Sequence, residues 1–364
     1  MSCMISIGTS VPSFRAKQSD ILGFMQAAYA DELASRKLKA LFKASDIDSR
    51  QSVVPDFRNR NEPGALFAAG RTPQVDERLG LFKEKALYLA TEAVYAAFRK
   101  LNTSAAEMGI THLITVTCTG LYAPGLDTEL IGQLGLGKDI FHVAVNFMGC
   151  NAAFPALKIA GMITQTDENA KVLVVCVELC TLHFQANTAP DHLLSNTVFS
   201  DGAAAAIVVP RSYARRRRLK NFILSGFYSQ LIDQGKKLME WNISPVSFEM
   251  VLNSRLPDLI GAHIGDVLKA AAKKLGTDPM TSAHWAVHPG GKKILDTIRD
   301  RVAVDFKKME SSYQVLHEYG NMSSPTILFV LERIMDEAAK PGELIFVLGF
   351  GPGISMDSSL FSYE

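Results

Sequence analysis

Hydrophobic positions along this chain follow two periods. Short runs rich in β-branched residues, bounded by glycine or polar clusters, predict strands over 111–117, 140–146, 171–178 and 203–209. Further runs predict strands over 221–229, 283–287 and 343–349. The opening residues 1–12 read as a short strand through Met4, Ile5 and Ile7 that runs into a turn. Apolar residues recur at helical spacing over 81–101, where the basic pair Arg99 and Lys100 occupies the last turn. A second helix is predicted over 256–275, closed by Gly276. Strand-like and helix-like segments alternate, which places the chain in the α/β class.

Two further segments are apolar nearly all round, which predicts buried helices. One follows Phe147-Met148-Gly149-Cys150-Asn151-Ala152-Ala153, and the other follows Glu318-Tyr319-Gly320-Asn321-Met322-Ser323-Ser324. Each has a glycine, then a residue able to do chemistry, then small residues and a proline (Pro155, Pro325) close to the helix start. Proline is tolerated there because first-turn N–H groups lack intrahelical partners. The faint duplication predicts two related halves around one site. The boundary is placed at the arginine run 215–218, giving halves 1–212 and 213–364. That run, with Arg211 before it, reads as a solvated connector, because nothing else in the chain is basic enough to make a nucleic-acid or phosphate patch.

The 364 residues can bury one large domain or two fused halves. A formal net charge of +1 provides no global field for nucleic acid or an anionic membrane, so any anion binding must be local. No apolar run approaches the roughly 18 residues of a membrane span. The first residues show no secretory pattern, and the five cysteines are an odd number, so free thiols in a reducing, cytoplasmic compartment are expected.

Among those thiols, Cys150 stands at a predicted helix start. Unpaired N–H groups and the helix dipole there would favour the thiolate and lower its pKa, which suits a nucleophile. Cys176 reads as core filler, and Cys176-x3-Cys180 lacks a second ligand pair for zinc. Cys118 ends a strand near Gly120 and could line a pocket. His288 ends the strand His284-Trp285-Ala286-Val287 before Pro289-Gly290-Gly291, so it can project into a cavity as base or donor. Asn321 could donate to a developing oxyanion, or simply cap its helix.

These motifs together resemble the chalcone synthase-like, type III polyketide synthases. They are M-G-C-N-A-A at 148–153, W-A-V-H-P-G-G at 285–291, Y-G-N-M-S-S at 319–324 and G-F-G-P-G at 349–353. T-G-L-Y-A-P-G-L-D at 119–127 and F-S-D-G-A-A-A at 199–205 extend the likeness over most of the chain. The spacings fit as well, with 288 − 150 = 138 residues from Cys150 to His288 and 321 − 288 = 33 on to Asn321.

The resemblance implies a thiolase-type fold of two similar halves in alternating helix and sheet layers, working as a homodimer. It implies a Cys150 thioester loaded from a starter acyl-CoA, and extension by malonyl-CoA whose decarboxylation is assisted by His288 and Asn321. Neither metal, flavin nor nicotinamide is then needed. It places Cys118, Cys180, His183, Met239, Phe248 and Ser323 around the substrate pocket, with Gly353 in a pocket-shaping loop and Ala123 at the dimer interface. Cys118 is similar to the pocket cysteine of bacterial members; plant members generally have threonine there. Lys39, Lys43 and Arg50 fall in a segment that could hold CoA phosphates. Three other readings stay open on sequence: an initiating ketoacyl carrier protein synthase of fatty-acid synthesis, a papain-like cysteine hydrolase, and a non-catalytic acyl-binding scaffold.

Overall fold

The computed structural model describes residues 1–58, 63–67 and 71–364. In chain order its strands are β1 (Ser2–Ser10), β2 (Phe14–Lys17), β3 (Ser49–Ser52), β4 (His112–Thr117), β5 (Phe141–Asn146), β6 (Val172–Leu179) and β7 (Asp201–Pro210). The rest are β8 (Phe222–Leu231), β9 (Met239–Ile243), β10 (Phe248–Leu252), β11 (His284–Val287), β12 (Leu344–Gly351) and β13 (Ser355–Tyr363). Nine of them form one sheet in the order β11-β12-β13-β8-β1-β7-β6-β4-β5, while β2 pairs with β3 and β9 with β10.

The sheet repeats a pattern. Strands β5, β4 and β6 run parallel, then β7 and β1 follow antiparallel. Likewise β11 and β12 run parallel, then β13 and β8 follow antiparallel. Only three residue pairs, Ser2↔Leu224, Cys3↔Ile223 and Met4↔Phe222, join β1 to β8 between the two blocks. The chain crosses from one block to the other through the helix Arg211–Arg217, where Arg211 and Arg215 pair with Glu364 at the surface.

Alternation along each strand sorts side chains between layers. Ile114 and Val174 point to one core with the helices Ala153–Thr166 and Thr326–Arg333, as do Ile345 and Val347 from the other block. Leu113 and Val175 point the opposite way, to the helix Val75–Arg99. Trp285, Phe346 and Leu348 do the same toward the helix Leu256–Leu275. Helix and sheet layers therefore alternate around two central helices, a thiolase-type α/β fold. Among the described residues no helix is long and apolar enough to cross a membrane.

The segment G-F-G-P-G has a packing explanation. It forms the end of β12 and the turn Pro352–Ile354. A Cβ on Gly349 would lie 2.4 Å from Phe154, and one on Gly351 would lie 1.8 Å from Asn151 Oδ1. Pro352 in turn presses on Gly149, whose φ is +81° and whose added Cβ would meet Pro352 Cδ at 2.1 Å. The segment thus buttresses the turn that carries Cys150. Gly149→Ala combines left-handed strain with overpacking, and a stability loss of about 2–5 kcal/mol is expected. Chemical denaturation reads this as a lower midpoint, and an unchanged midpoint would rule out the close packing.

Candidate active site

Cys150 sits in the short turn Gly149–Asn151 that leads from β5 into the helix Ala153–Thr166. His288 follows the end of β11, and its N–H donates to Leu348 O at 2.7 Å across to β12. Asn321 lies between the helices Phe306–Tyr319 and Thr326–Arg333. The two central helices bring Cys150 and Asn321 to one place, and all three side chains line one narrow cavity with Met239 and Phe350.

Asn321 is oriented by its own turn. Its Oδ1 accepts the Ser323 N–H at 2.8 Å, which leaves Nδ2 as the group facing the Gly290 carbonyl, 3.5 Å away. The side chain is thus a local cap and a donor at once. Ser323, at φ +60°, reaches the Cys150 thiol together with Asn321.

The electrostatics differ from the expectation of a helix-lowered thiol. Burial pushes Cys150 up to about 11, against hydrogen bonds from Ser323 and Asn321, and the Glu178 charge adds to the rise. The thiol is 3% exposed, so desolvation outweighs the N–H groups. Burial likewise pulls His288 down to about 3, and both its ring nitrogens are buried without hydrogen-bond partners. Neither group ionises alone in this site. Only a proton passing from Sγ to the imidazole, which leaves the net charge unchanged, would let thiolate and imidazolium form here.

Such a transfer has a pH test. If His288 is that acceptor, the thiol of His288→Ala keeps its proton up to its raised value, about 11. Iodoacetamide inactivation of the wild type should exceed that of the variant most at neutral pH. The ratio should shrink as pH approaches the thiol's own range. A ratio independent of pH would show that His288 takes no proton from Cys150.

The remaining sequence-predicted residues divide. Cys118 is buried, and its Sγ accepts the Gly149 N–H at 3.0 Å, so it holds the Cys150 turn as well as neighbouring the thiol. Cys180, His183 and Phe248 line a second small cavity, which shares Phe199 and Met250 with the first. His183 is neutral there, with burial pulling it down to about 3. Its Nε2 donates to Thr119 O at 2.8 Å, its Nδ1 accepts from Phe248 N at 3.1 Å, and its ring stacks on Phe248 at 4.6 Å. Gly353, at φ +71°, has open space beside it in the Pro352–Ile354 turn and lines neither cavity.

The basic residues need correction. A groove of about 470 Å³ meets the Cys150 cavity at Leu252, Gly290 and Ile294. The helix Glu32–Ser45 contributes Lys37, Ala40, Leu41 and Ala44 to it, an i, i+3, i+4, i+7 face. Lys39 and Lys43 fall off that face and stand exposed outside the groove. Arg50 is buried, with Nη1 donating to Asn196 O and Phe199 O, so it cannot reach a phosphate in solvent. The lysines that do line the groove are Lys37, Lys292 and Lys293.

Sequence reasoning also passed over Glu178. This buried carboxyl accepts from Cys118 N (2.9 Å), Thr119 Oγ1 (2.7 Å), Thr117 Oγ1 (3.3 Å) and Ser324 Oγ (2.6 Å), and burial raises its pKa. It ties the turn after Asn321 to the strand ends beneath Cys150. The available signal was an acid in the otherwise apolar run Val172–Leu179.

Comparison with known proteins covers nearly the whole chain. The family model described as chalcone and stilbene synthases, N-terminal domain, matches residues 1–211, and its C-terminal counterpart matches residues 224–362. The alpha-pyrone synthesis polyketide synthase-like Pks18 of Mycobacterium tuberculosis is 28% identical over 98% of this chain and 89% of its own length. A probable polyketide synthase 1 of Dictyostelium discoideum is 29% identical over 98% of this chain, which spans only 11% of that relative. The crystal structure of PKS-I from the brown alga Ectocarpus siliculosus is 26% identical and superposes with a TM-score of 0.92, covering 100% of this chain and 98% of that one. The 1,3,6,8-tetrahydroxynaphthalene synthase of Streptomyces coelicolor A3(2) is 25% identical with a TM-score of 0.86, covering 100% and 99%.

Proposed function

We propose, from the premise that this chain belongs to the chalcone and stilbene synthase family of type III polyketide synthases, a division of labour among three residues of the narrow cavity. As a member it is a carbon–carbon bond-forming acyltransferase. Cys150 Sγ gives its proton to His288 and attacks the carbonyl of a starter acyl-CoA, releasing CoA and keeping the acyl group as a thioester. Malonyl-CoA then loses carbon dioxide. The enolate so formed takes hydrogen bonds from Asn321 Nδ2 and the His288 ring, and its carbon attacks the Cys150 thioester. The thiolate leaves, and a chain two carbons longer has formed. Repetition gives a polyketide that cyclises to a pyrone, resorcinol or related phenolic. The carbanion comes from decarboxylation, so the CoA thioesters suffice and no cofactor takes part.

The observation that carries this reading is the convergence of a thiol, an imidazole with two unpartnered nitrogens and a capped asparagine amide on one narrow cavity. CoA would enter by the adjoining groove. There Lys37, Lys292 and Lys293 and the first N–H groups of the helix Lys292–Val302 suit phosphates, and apolar walls suit the pantetheine arm. The edge strand β5 supports a homodimer. It ends the sheet, and Phe141 on it and Met148 just beyond are exposed, a surface that a second copy would cover. Light scattering should give twice the 39.7 kDa chain mass; a mass of one chain would remove the dimer.

Incubation with malonyl-CoA and short, long and aromatic acyl-CoAs, with products read by mass, tests the reaction itself. Products should differ from the starter by successive two-carbon extensions. Exclusive use of malonyl carrier protein would point instead to the ketoacyl synthase of fatty-acid synthesis, and the absence of any new carbon–carbon bond would overturn the proposal.

A further inference from the structure

Arg50 is a buried cation that the proposed reaction does not use. It stands on β3, 1% exposed, between the rings of Phe42 and Phe57 at 5.7 and 5.8 Å. Its Nε donates to Gln18 Oε1 at 3.0 Å, and its Nη1 donates to Asn196 O at 2.9 Å and Phe199 O at 2.6 Å. Gln18 Nε2 donates to Thr197 O at 2.9 Å. These carbonyls end the helix Pro190–Val198. The last carbonyls of a helix lack intrahelical partners, and a cation there also meets the negative end of the helix dipole.

The other side of that helix end holds Asn321. Val198 O accepts the Asn321 N–H at 2.9 Å, and Asn321 O accepts the Ser200 N–H at 2.9 Å. Phe199 itself walls the cavity of Cys150. Arg50 also touches the segment directly. A Cβ on Gly320, at φ +71°, would lie 3.1 Å from Arg50 Cγ and Cδ and 2.8 Å from Val198 O. So the guanidinium clamps residues 196–199 from one side, and the same short segment fixes the backbone of Asn321 from the other.

We infer that Arg50 is a positioning residue for the reaction, holding Asn321 and Phe199 in place through the end of the helix Pro190–Val198. The inference rests on the role proposed above for Asn321. Lysine cannot replace it, because one ammonium cannot reproduce the planar fork that engages Gln18 and two carbonyls together. A small displacement of a donor at a reacting centre lowers rate far more than it lowers binding.

The test separates the two half-reactions. In Arg50→Lys, kcat for malonyl-CoA decarboxylation should fall about 10- to 100-fold, with its KM near wild type. Acyl loading of Cys150, read by intact mass, should keep its wild-type rate. Gln18→Met removes the Thr197 contact and one Arg50 partner but leaves the guanidinium, and should show the same split at smaller size. Equal loss of loading and decarboxylation in both variants would show mere structural support and overturn the inference, as would no loss in either. Asn321→Ala is measured alongside. If it decarboxylates normally, the role of Asn321 fails and the Arg50 inference falls with it; if it is impaired while both Arg50→Lys and Gln18→Met are not, only the Arg50 inference falls.

Discussion

Replacing Cys150 by alanine should abolish condensation while leaving measurable release of carbon dioxide from malonyl-CoA. Without Sγ no acyl group is held beside the enolate, so product formation should fall by a factor on the order of 10⁴ or more. Decarboxylation needs only the donors that stabilise the enolate, and in the proposed division of labour these are His288 and Asn321, which line the same cavity. The variant should also fold normally, because alanine removes only a small sulfur from a site lined by other side chains. Product counted against carbon dioxide released is the readout. Retained condensation would refute the nucleophile, and parallel loss of both activities would mean that Cys150 also shapes the donor site.

Asn321→Ala should show the converse. Decarboxylation should fall roughly 10²- to 10³-fold, the 2.7–4 kcal/mol that loss of one preorganised donor costs. Loading of Cys150 should change less, because attack on the starter relies on the proton transfer to His288. There is a competing structural effect, since Oδ1 caps Ser323 N at 2.8 Å and that cap is worth about 1 kcal/mol. Asn321→Asp separates the two: it keeps the acceptor that caps Ser323 and loses the NH2 donor. Decarboxylation should fail in both variants, although only the alanine loses the cap on Ser323. Full activity in the aspartate variant would leave Asn321 as a cap alone.

Much of the fold was legible because burial leaves periodic marks. The helix over 256–275 with Gly276 in the left-handed region is as expected, and seven internal strands begin and end within about two residues of their apolar runs. The strand β13 was missed because Ser355–Tyr363 carries three polar side chains at buried positions, among them Asp357, which accepts from Asn151 and Ser229. Polar groups at buried positions erase the hydrophobic signal that a buried strand otherwise gives. The long helix begins earlier than its apolar pattern, at Val75, because the polar residues Gln74 and Glu77 form a capping box before it.

The meeting of Cys150, His288 and Asn321 in one cavity was legible because chemistry and turn geometry coincide there in short motifs. The lining of the adjoining groove was not legible, because it depends on which way a helix turns. Lys37 and Lys39 are two residues apart in sequence, yet only the first shares the groove face with Leu41 and Ala44. Nor does a charge announce its burial. Arg50 reads like its basic neighbours, and only the surrounding carbonyls and rings show that it faces inward. The expected lowering of the Cys150 pKa failed for a related reason. A helix start is visible in sequence, whereas the desolvation that outweighs it comes from residues brought in from both halves.

The central claim is that Cys150 carries the growing chain. Wild-type protein should be mixed with a starter acyl-CoA in the absence of malonyl-CoA, digested, and its peptides weighed. The account predicts one acyl adduct, on the peptide containing Cys150 and lost on adding malonyl-CoA. An adduct on Cys118 or Cys180 instead, or product formation with no acylated peptide at any time, would contradict it.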